Sequence, residues 1–165
     1  MPAFSMPGNS RKTILANAQV PGNDMSTKVH GSQPIIAERA MYWNNGTGEA
    51  CHDSIGMDST HAIFYLPDGQ TSDGWETWTL VQNPNPTPVN VQVYYMTASG
   101  VGNQTFTDTV PASSRKSYSM ADKIPLGRDS VLVTSRTAGM NIMVERAMYW
   151  NNRGAGTDTI GGFSD

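Results

Sequence analysis

Charged residues are scarce in this chain of 165 residues. They make up 15% of it, the net charge is −3, and no cluster of Lys and Arg occurs. Because a protein that binds nucleic acid needs a basic surface to meet the phosphates, this distribution excludes a nucleic-acid partner. No apolar run approaches the roughly 18 to 20 residues that span a bilayer, so we expect no membrane insertion.

Cysteine is nearly absent as well. Cys51 is the only one, which excludes an internal disulfide and a metal site built from cysteines. The first residues carry neither the basic start nor the apolar middle of a secretory signal. If the protein is exported, we expect this chain to be a mature piece or a part of something longer.

The most informative feature present is a repeat. The octapeptide Glu-Arg-Ala-Met-Tyr-Trp-Asn-Asn occurs at residues 38–45 and again at 145–152. The similarity extends on both sides, so that residues 4–56 match residues 108–161, while residues 57–107 have no second copy. We therefore predict a C-terminal half-repeat over residues 1–56 and one full repeat over residues 57–165.

The full repeat has the pattern of short strands separated by turns. In residues 89–96 every second residue is apolar, which is typical of a half-buried antiparallel strand. Turn or loop signals at residues 67–69, 83–88 and 99–103 bound the strands. Seven such strands predict an all-β fold, an antiparallel β-sandwich of immunoglobulin-like type.

The strand that contains the octapeptide is apolar on both faces. This pattern favours a strand that lies between two layers or between two modules. The assembly and packing residues predicted on this basis are Glu38, Arg39, Tyr42, Trp43, Glu145, Arg146, Tyr149 and Trp150.

Each copy places a Glu beside an Arg, and neighbours in a strand point to opposite faces. The partners of these charges are therefore expected on neighbouring strands or in the other repeat. Arg11 and Arg115 are the partners that we predict for Glu38 and Glu145.

The half-repeat, predicted to hold three or four strands, lacks the half that should cover it. Because a lone half-sheet exposes an apolar face and open edges, something must pack against it. Either the full repeat of the same chain covers it, or another molecule does so in a contact that propagates head to tail.

Few residues suggest chemistry. Cys51, His52, Asp53 and Ser54 are adjacent, but neighbours in a strand cannot converge on one substrate, so we interpret this stretch as a turn. Without a carboxylate pair, a metal cluster or a nucleophile elbow at meaningful spacing, the sequence predicts no enzyme and no cofactor.

Two weaker binding hypotheses remain. The acidic residues Asp53, Asp68 and Asp73 could supply oxygen ligands to calcium, although no 12-residue calcium loop is present. Trp75 and Tyr94 could stack on sugar rings, with Trp78 and Tyr95 expected in the core.

The motifs carry a resemblance. The segments Tyr-Leu-Pro-Asp-Gly (65–69), Gly-Trp-Glu-Thr-Trp-Thr-Leu-Val-Gln-Asn-Pro (74–84), the repeated octapeptide and His-Asp-Ser-Ile-Gly (52–56) resemble a tandemly repeated bacterial surface module of unknown function. The resemblance implies an extracellular, array-forming and non-catalytic role. The second copy departs from the pattern, with Thr157-Asp158-Thr159 in place of His52-Asp53-Ser54.

The sequence therefore predicts a structural or adhesive module of an exported bacterial surface protein. Its expected partners are copies of itself or neighbouring modules of the same protein. The alternative is a carbohydrate-binding module that uses exposed aromatic residues to bind surface polysaccharide.

Overall fold

Nearly all of the regular structure is β-strand. It is seen in a computed structural model that describes residues 1–98 and 102–165. The strands are β1 (Glu38–Asn44), β2 (Glu49–Ile55), β3 (Ile63–Gln70), β4 (Trp75–Asn83), β5 (Val89–Thr97), β6 (Gln104–Val110), β7 (Ser114–Ser119), β8 (Arg128–Ser135), β9 (Met143–Trp150), β10 (Ala155–Thr159) and β11 (Gly162–Ser164). A short helix, α1 (Ala16–Gln19), and a 3-10 turn at Met120–Asp122 complete the elements.

Two antiparallel sheets pack together in a sandwich-like arrangement. One has the strand order β11-β3-β8-β5-β6, and the other has the order β10-β9-β4-β7. Strands β1 and β2 form a separate two-stranded hairpin. The prediction of an all-β, antiparallel fold is confirmed.

The core lies between the two larger sheets. Val89, Val91, Val93 and Tyr95 of β5 are all fully buried, as their alternation predicts. From the opposite sheet β4 contributes Thr77, Thr79 and Val81. The prediction that Trp78 belongs to this core is wrong, since Trp78 lies on the outer face of β4 and is half-buried.

The inward position of Thr77 has a physical reason. Its hydroxyl donates to the carbonyl of Gln70 at 2.7 Å and accepts the Gln70 N–H at 2.8 Å. A buried backbone left without partners costs free energy, and a threonine satisfies both groups where a tryptophan could not.

Residues 67–69 do not end the strand. They form an irregularity inside β3, where the pairing with β8 shifts between Leu66 and Gly69. A bulge accepts Pro67, which has no N–H to donate to the ladder. A Cβ at Gly69 would lie 2.9 Å from Met120 Sδ and 3.0 Å from Asp129 Oδ1, so a side chain there would have to displace these groups.

The half-repeat contains fewer strands than predicted. Of residues 1–56, only β1 and β2 are extended, and the segment before them has α1 as its one regular element. In the second copy, β7 and β8 pair with β4 and β5, and the half-repeat lacks those partners. Without a neighbour to complete the ladder, the corresponding segments do not form strands.

Two further points concern the chain outside the sheets. Residues 99–101 of the turn predicted at 99–103 lie outside the described residues. Among the residues that are described, no helix is both long and apolar enough to cross a membrane.

Candidate functional site

The two copies of the octapeptide form hairpins with the same register. In the first hairpin (β1–β2), Met41 pairs with His52 and Ala40 pairs with Asp53. In the second hairpin (β9–β10), the corresponding pairs are Met148 with Thr157 and Ala147 with Asp158. The similarity in sequence therefore extends to local pairing.

The first hairpin packs on the outer face of the second. Arg39 and Trp43 point toward β9 and β10, as does His52. The second hairpin meets them with the opposite set of positions, which includes Glu145 and Tyr149. One copy thus uses one face of the repeated strand, and the other copy uses the other face.

An ionic cluster lies at the centre of this contact. The Arg39 guanidinium donates to Glu145 Oε1 at 2.5 Å and also to the carboxylate of Asp158. His52 Nδ1 lies 2.9 Å from Asp158 Oδ2. The Asp158 side chain is only 1% exposed, so these partners take the place of water in stabilising its negative charge.

The cluster perturbs the titration of two of its members. Burial raises the pKa of Glu145 to about 7, helped by the nearby Asp158 and opposed by Arg39. Burial lowers the pKa of His52, and Asp158 opposes that shift. In both residues the largest cause of the pKa shift is burial, which disfavours the charged form.

Aromatic rings surround the charges. Trp43 packs edge-to-face on Tyr149, with ring centroids 5.5 Å apart, and its indole N–H donates to the Arg153 carbonyl at 2.5 Å. The Trp43 ring also lies directly over Gly156, where an added Cβ would be 3.0 Å from two of its carbons. We call the contact made by Arg39, Trp43 and His52 with Glu145, Tyr149, Gly156 and Asp158 the hairpin interface.

This arrangement is built for packing. His52 Nε2 is 3.4 Å from the Tyr149 hydroxyl, so an Asp, a His and a hydroxyl are close neighbours. However, His52 is 7% exposed and packs against the rings of both Trp43 and Tyr149. No substrate can reach a group packed in this way without separating the hairpins.

The predicted assembly residues fall into three places. Arg39, Trp43, Glu145 and Tyr149 meet in the hairpin interface. Glu38 and Tyr42 lie on the opposite, exposed face of the first hairpin, where Tyr42 is 80% exposed.

Arg146 and Trp150 point into or beside the sandwich. The Arg146 guanidinium is buried and donates to the Asp68 carbonyl at 2.5 Å. Trp150 lies against Trp75, and its indole N–H donates to the Asp73 carbonyl at 3.1 Å.

The predicted partners of the charges are only partly right. Glu145 does find its cation in the other copy, but that cation is Arg39. The pairing of Arg115 with Glu145 is wrong, because Arg115 pairs with Asp24 at 3.2 Å. β7 and the octapeptide strand β9 lie on opposite sides of β4, which separates Arg115 from Glu145.

Two central residues of the interface, His52 and Asp158, were not predicted. Residues 51–54 were interpreted as a turn, and that interpretation is wrong because they belong to strand β2. The available signal was that the aspartate recurs in both copies while the histidine does not. The side chain of the aspartate is buried only in the second copy, as Asp158. Its partner is His52, the residue of the first copy that the second copy replaces by Thr157.

The structure does not bring together the residues of the two weaker binding hypotheses, sugar stacking and calcium binding. Trp75 belongs to the four-stranded sheet and Tyr94 to the five-stranded one, so the two form no common platform. Trp75 instead neighbours Trp150 at a tilt of 35°. Asp53, Asp68 and Asp73 lie on β2, in the β3 irregularity and in the turn before β4, and the described residues contain no cluster of three or more metal-ligating His, Cys, Asp or Glu side chains.

A second group that the sequence does not reveal is Asp129, on the inner face of β8. It is 6% exposed, and neither carboxylate oxygen has a hydrogen-bond partner among the described residues. Burial, together with the nearby Asp68, raises the pKa of Asp129 to about 7. An ionised carboxylate there destabilises the fold.

This burial predicts a pH-dependent stability. Because the pKa of Asp129 is higher in the folded state, protonation stabilises that state relative to the unfolded one. This stabilisation is complete below pH about 4 and is lost as the pH rises through 7. We expect Asp129→Asn to stabilise the chain at pH 8 by roughly 2 to 4 kcal/mol and to leave its stability at pH 4 nearly unchanged. Urea unfolding at the two pH values measures this, with Asp122→Asn as an exposed control; equal or lower stability of Asp129→Asn at pH 8 would contradict it.

Comparisons with known proteins bear on the fold. No protein family and no curated protein matches this chain. The crystal structure of Thermotoga maritima 1070 is similar, with a TM-score of 0.54 at 12% sequence identity, over 66% of this chain and 97% of that one. At that identity the likeness concerns the fold alone.

A second solved structure, the Anabaena sensory rhodopsin transducer, aligns less well. Its TM-score is 0.43 at 16% identity, over 55% of this chain and 91% of that one. A score this low supports no conclusion about this chain.

Proposed function

We propose that this chain is a structural module of an exported bacterial surface protein, and that it acts by joining copies of its repeat unit. The observation that carries the proposal is the convergence of Arg39 and His52 from one copy on Glu145 and Asp158 of the other. A repeated segment that binds its own second copy is suited to assembly.

The composition of the hairpin interface supports this role. Arg, Trp and Tyr are the side chains that contribute most to binding at protein interfaces, and each is present here. The buried cluster adds specificity, because a strand without Arg39 would leave the Asp158 carboxylate with one cation fewer in a site that water does not reach. The interface therefore selects for the repeat itself.

The proposed cellular location and functional class depend on features of the sequence. The low charge content, the tandem repeat and the resemblance to bacterial surface modules support an extracellular location and a structural or adhesive role. We propose copies of the chain or neighbouring modules of one parent protein as partners, and an immunoglobulin-like class for the sandwich. Binding of a surface polysaccharide is the competing function.

Removing the positive charge of Arg39 tests the proposal. We expect Arg39→Met to open the hairpin interface while the sandwich stays folded, because Glu145 and Asp158 lose their shared cation. A two-stranded hairpin without a packing surface is marginally stable, so residues 38–55 should become sensitive to a protease. Digestion with a Glu-specific protease that cuts after Glu49 measures the change.

The matched control is Arg115→Met, which removes a guanidinium paired with the exposed Asp24 and should leave the hairpin resistant. Arg39→Met that resists digestion as well as the unmodified chain would overturn the proposal. A second overturning result would be retention on an insoluble polysaccharide that is lost in Trp75→Ala, which would favour carbohydrate binding.

A further inference from the structure

The two hairpins differ at two positions that control how closely another hairpin can approach. At the first, Gly154 corresponds to Glu49, and a Cβ on Gly154 would lie 2.7 Å from Thr47 Oγ1 of the first hairpin.

At the second position, Gly156 of β10 pairs with Tyr149, and its counterpart in the first hairpin is Cys51, which pairs with Tyr42. On Gly156 the Trp43 ring lies so close that a Cβ would be 3.0 Å from two ring carbons and 2.9 Å from Tyr149. A cysteine at that position would occupy the place of the indole.

Other positions on the two outer faces carry the same residues in both copies. Glu38, Tyr42 and Asp53 of the first hairpin correspond to Glu145, Tyr149 and Asp158 of the second, in the same register. In the second hairpin these residues are covered by Arg39, Trp43 and His52. In the first they are exposed, with Cys51 exposed among them.

The opposite faces have also diverged. His52 is 7% exposed and lies against Asp158, whereas Thr157, its counterpart in the second hairpin, is exposed and pairs with Met148. The first hairpin thus carries the side chain that reaches an acidic partner. The second hairpin carries the glycine that makes room for a tryptophan.

We infer that the copies have become a donor and an acceptor, and that two positions, 49 and 51 in the first hairpin and 154 and 156 in the second, decide whether a hairpin of a second copy can stack on the outer face. Gly154 and Gly156 admit one such hairpin. Glu49 and Cys51 prevent a third from being added, so the first hairpin caps the stack, as terminal units cap repeat proteins. This inference rests on the proposed function, since both require that hairpins stack through the same contact.

Substitutions at these positions test the inference. Gly156→Cys, kept reduced, should displace the first hairpin of its own chain and free Arg39, Trp43 and His52 as a donor. The double variant Glu49→Gly with Cys51→Gly should turn the exposed face of Glu38, Tyr42 and Asp53 into an acceptor. None of the substituted positions points into the sandwich core, and near-ultraviolet circular dichroism checks that the sandwich is intact.

Mixing the variants gives the decisive readout. Sedimentation of Gly156→Cys with the Glu49→Gly, Cys51→Gly double variant should show a 1:1 complex of twice the monomer mass, while Gly156→Cys with the unmodified chain stays monomeric. A mixture that forms no complex, or a complex of equal amount with the unmodified chain, would overturn the inference.

The variant Gly156→Val keeps the test independent of thiol chemistry and of any folding defect specific to cysteine. It should free the hairpin to protease as Gly156→Cys does; resistance of both would also overturn the inference. If Arg39→Met opens the hairpin interface and the mixture still forms no complex, the divergence into donor and acceptor fails and the proposed function stands. If Arg39→Met leaves it closed, the proposed function itself fails.

Discussion

Replacing Asp158 by alanine should release the first hairpin from the sandwich. Asp158 contacts both Arg39 and His52, and its side chain is 1% exposed. Removing one partner of a buried charged cluster typically costs about 3 to 5 kcal/mol, because the remaining charges stay out of water without compensation. Hydrogen exchange of residues 38–55 should therefore rise to the rate of an isolated hairpin.

The repeat provides a matched control for this change. Asp53 occupies the same register position in the first hairpin and lies on its exposed face. Asp53→Ala should change stability by less than about 0.5 kcal/mol. Equal effects of the two substitutions would show that the position matters for the strand itself and that the hairpin interface contributes nothing.

Replacing Trp43 by alanine should have a comparable effect for a different reason. The substitution removes the ring that packs on Tyr149 and Gly156 and also removes its bond to the Arg153 carbonyl. Truncation of a buried Trp costs about 3 to 5 kcal/mol, and a half-buried one should lie at the lower end of that range or just below it. Urea unfolding followed by hydrogen exchange of β1 measures the loss.

Here the control is Tyr42→Ala on the other face of the same strand. Tyr42 is 80% exposed, so its removal should leave the docking of the hairpin unchanged. If the amides of β1 were as well protected from hydrogen exchange in Trp43→Ala as in Tyr42→Ala, the aromatic contact would not hold the hairpin in place.

Local patterns predicted much of the sandwich. The alternation in residues 89–96 gave the correct buried face of β5, because an apolar residue at every second position can bury only one side of a strand. The two apolar faces of the octapeptide strand correctly indicated that β9 lies between layers. One face packs into the sandwich core, and the other carries the first hairpin.

Other features depend on contacts that sequence patterns do not show. Trp78 was expected inside because tryptophan is apolar, but the backbone of Gln70 needed the hydroxyl of Thr77 on the inner face. Strands predicted before residue 38 are missing because their partner strands belong to the half of the repeat that has no first copy. The role of His52 required knowledge that a neighbouring layer places Asp158 beside it.

The central claim is that the first hairpin is docked on the second through the hairpin interface. Nuclear Overhauser contacts between the Trp43 indole and the Tyr149 ring, measured on the dilute unmodified chain, test this most directly. The account predicts strong contacts between these rings, whose centroids are 5.5 Å apart, and their persistence on dilution. Absence of these contacts, with residues 38–55 exchanging their amide protons as fast as an unfolded segment, would contradict it.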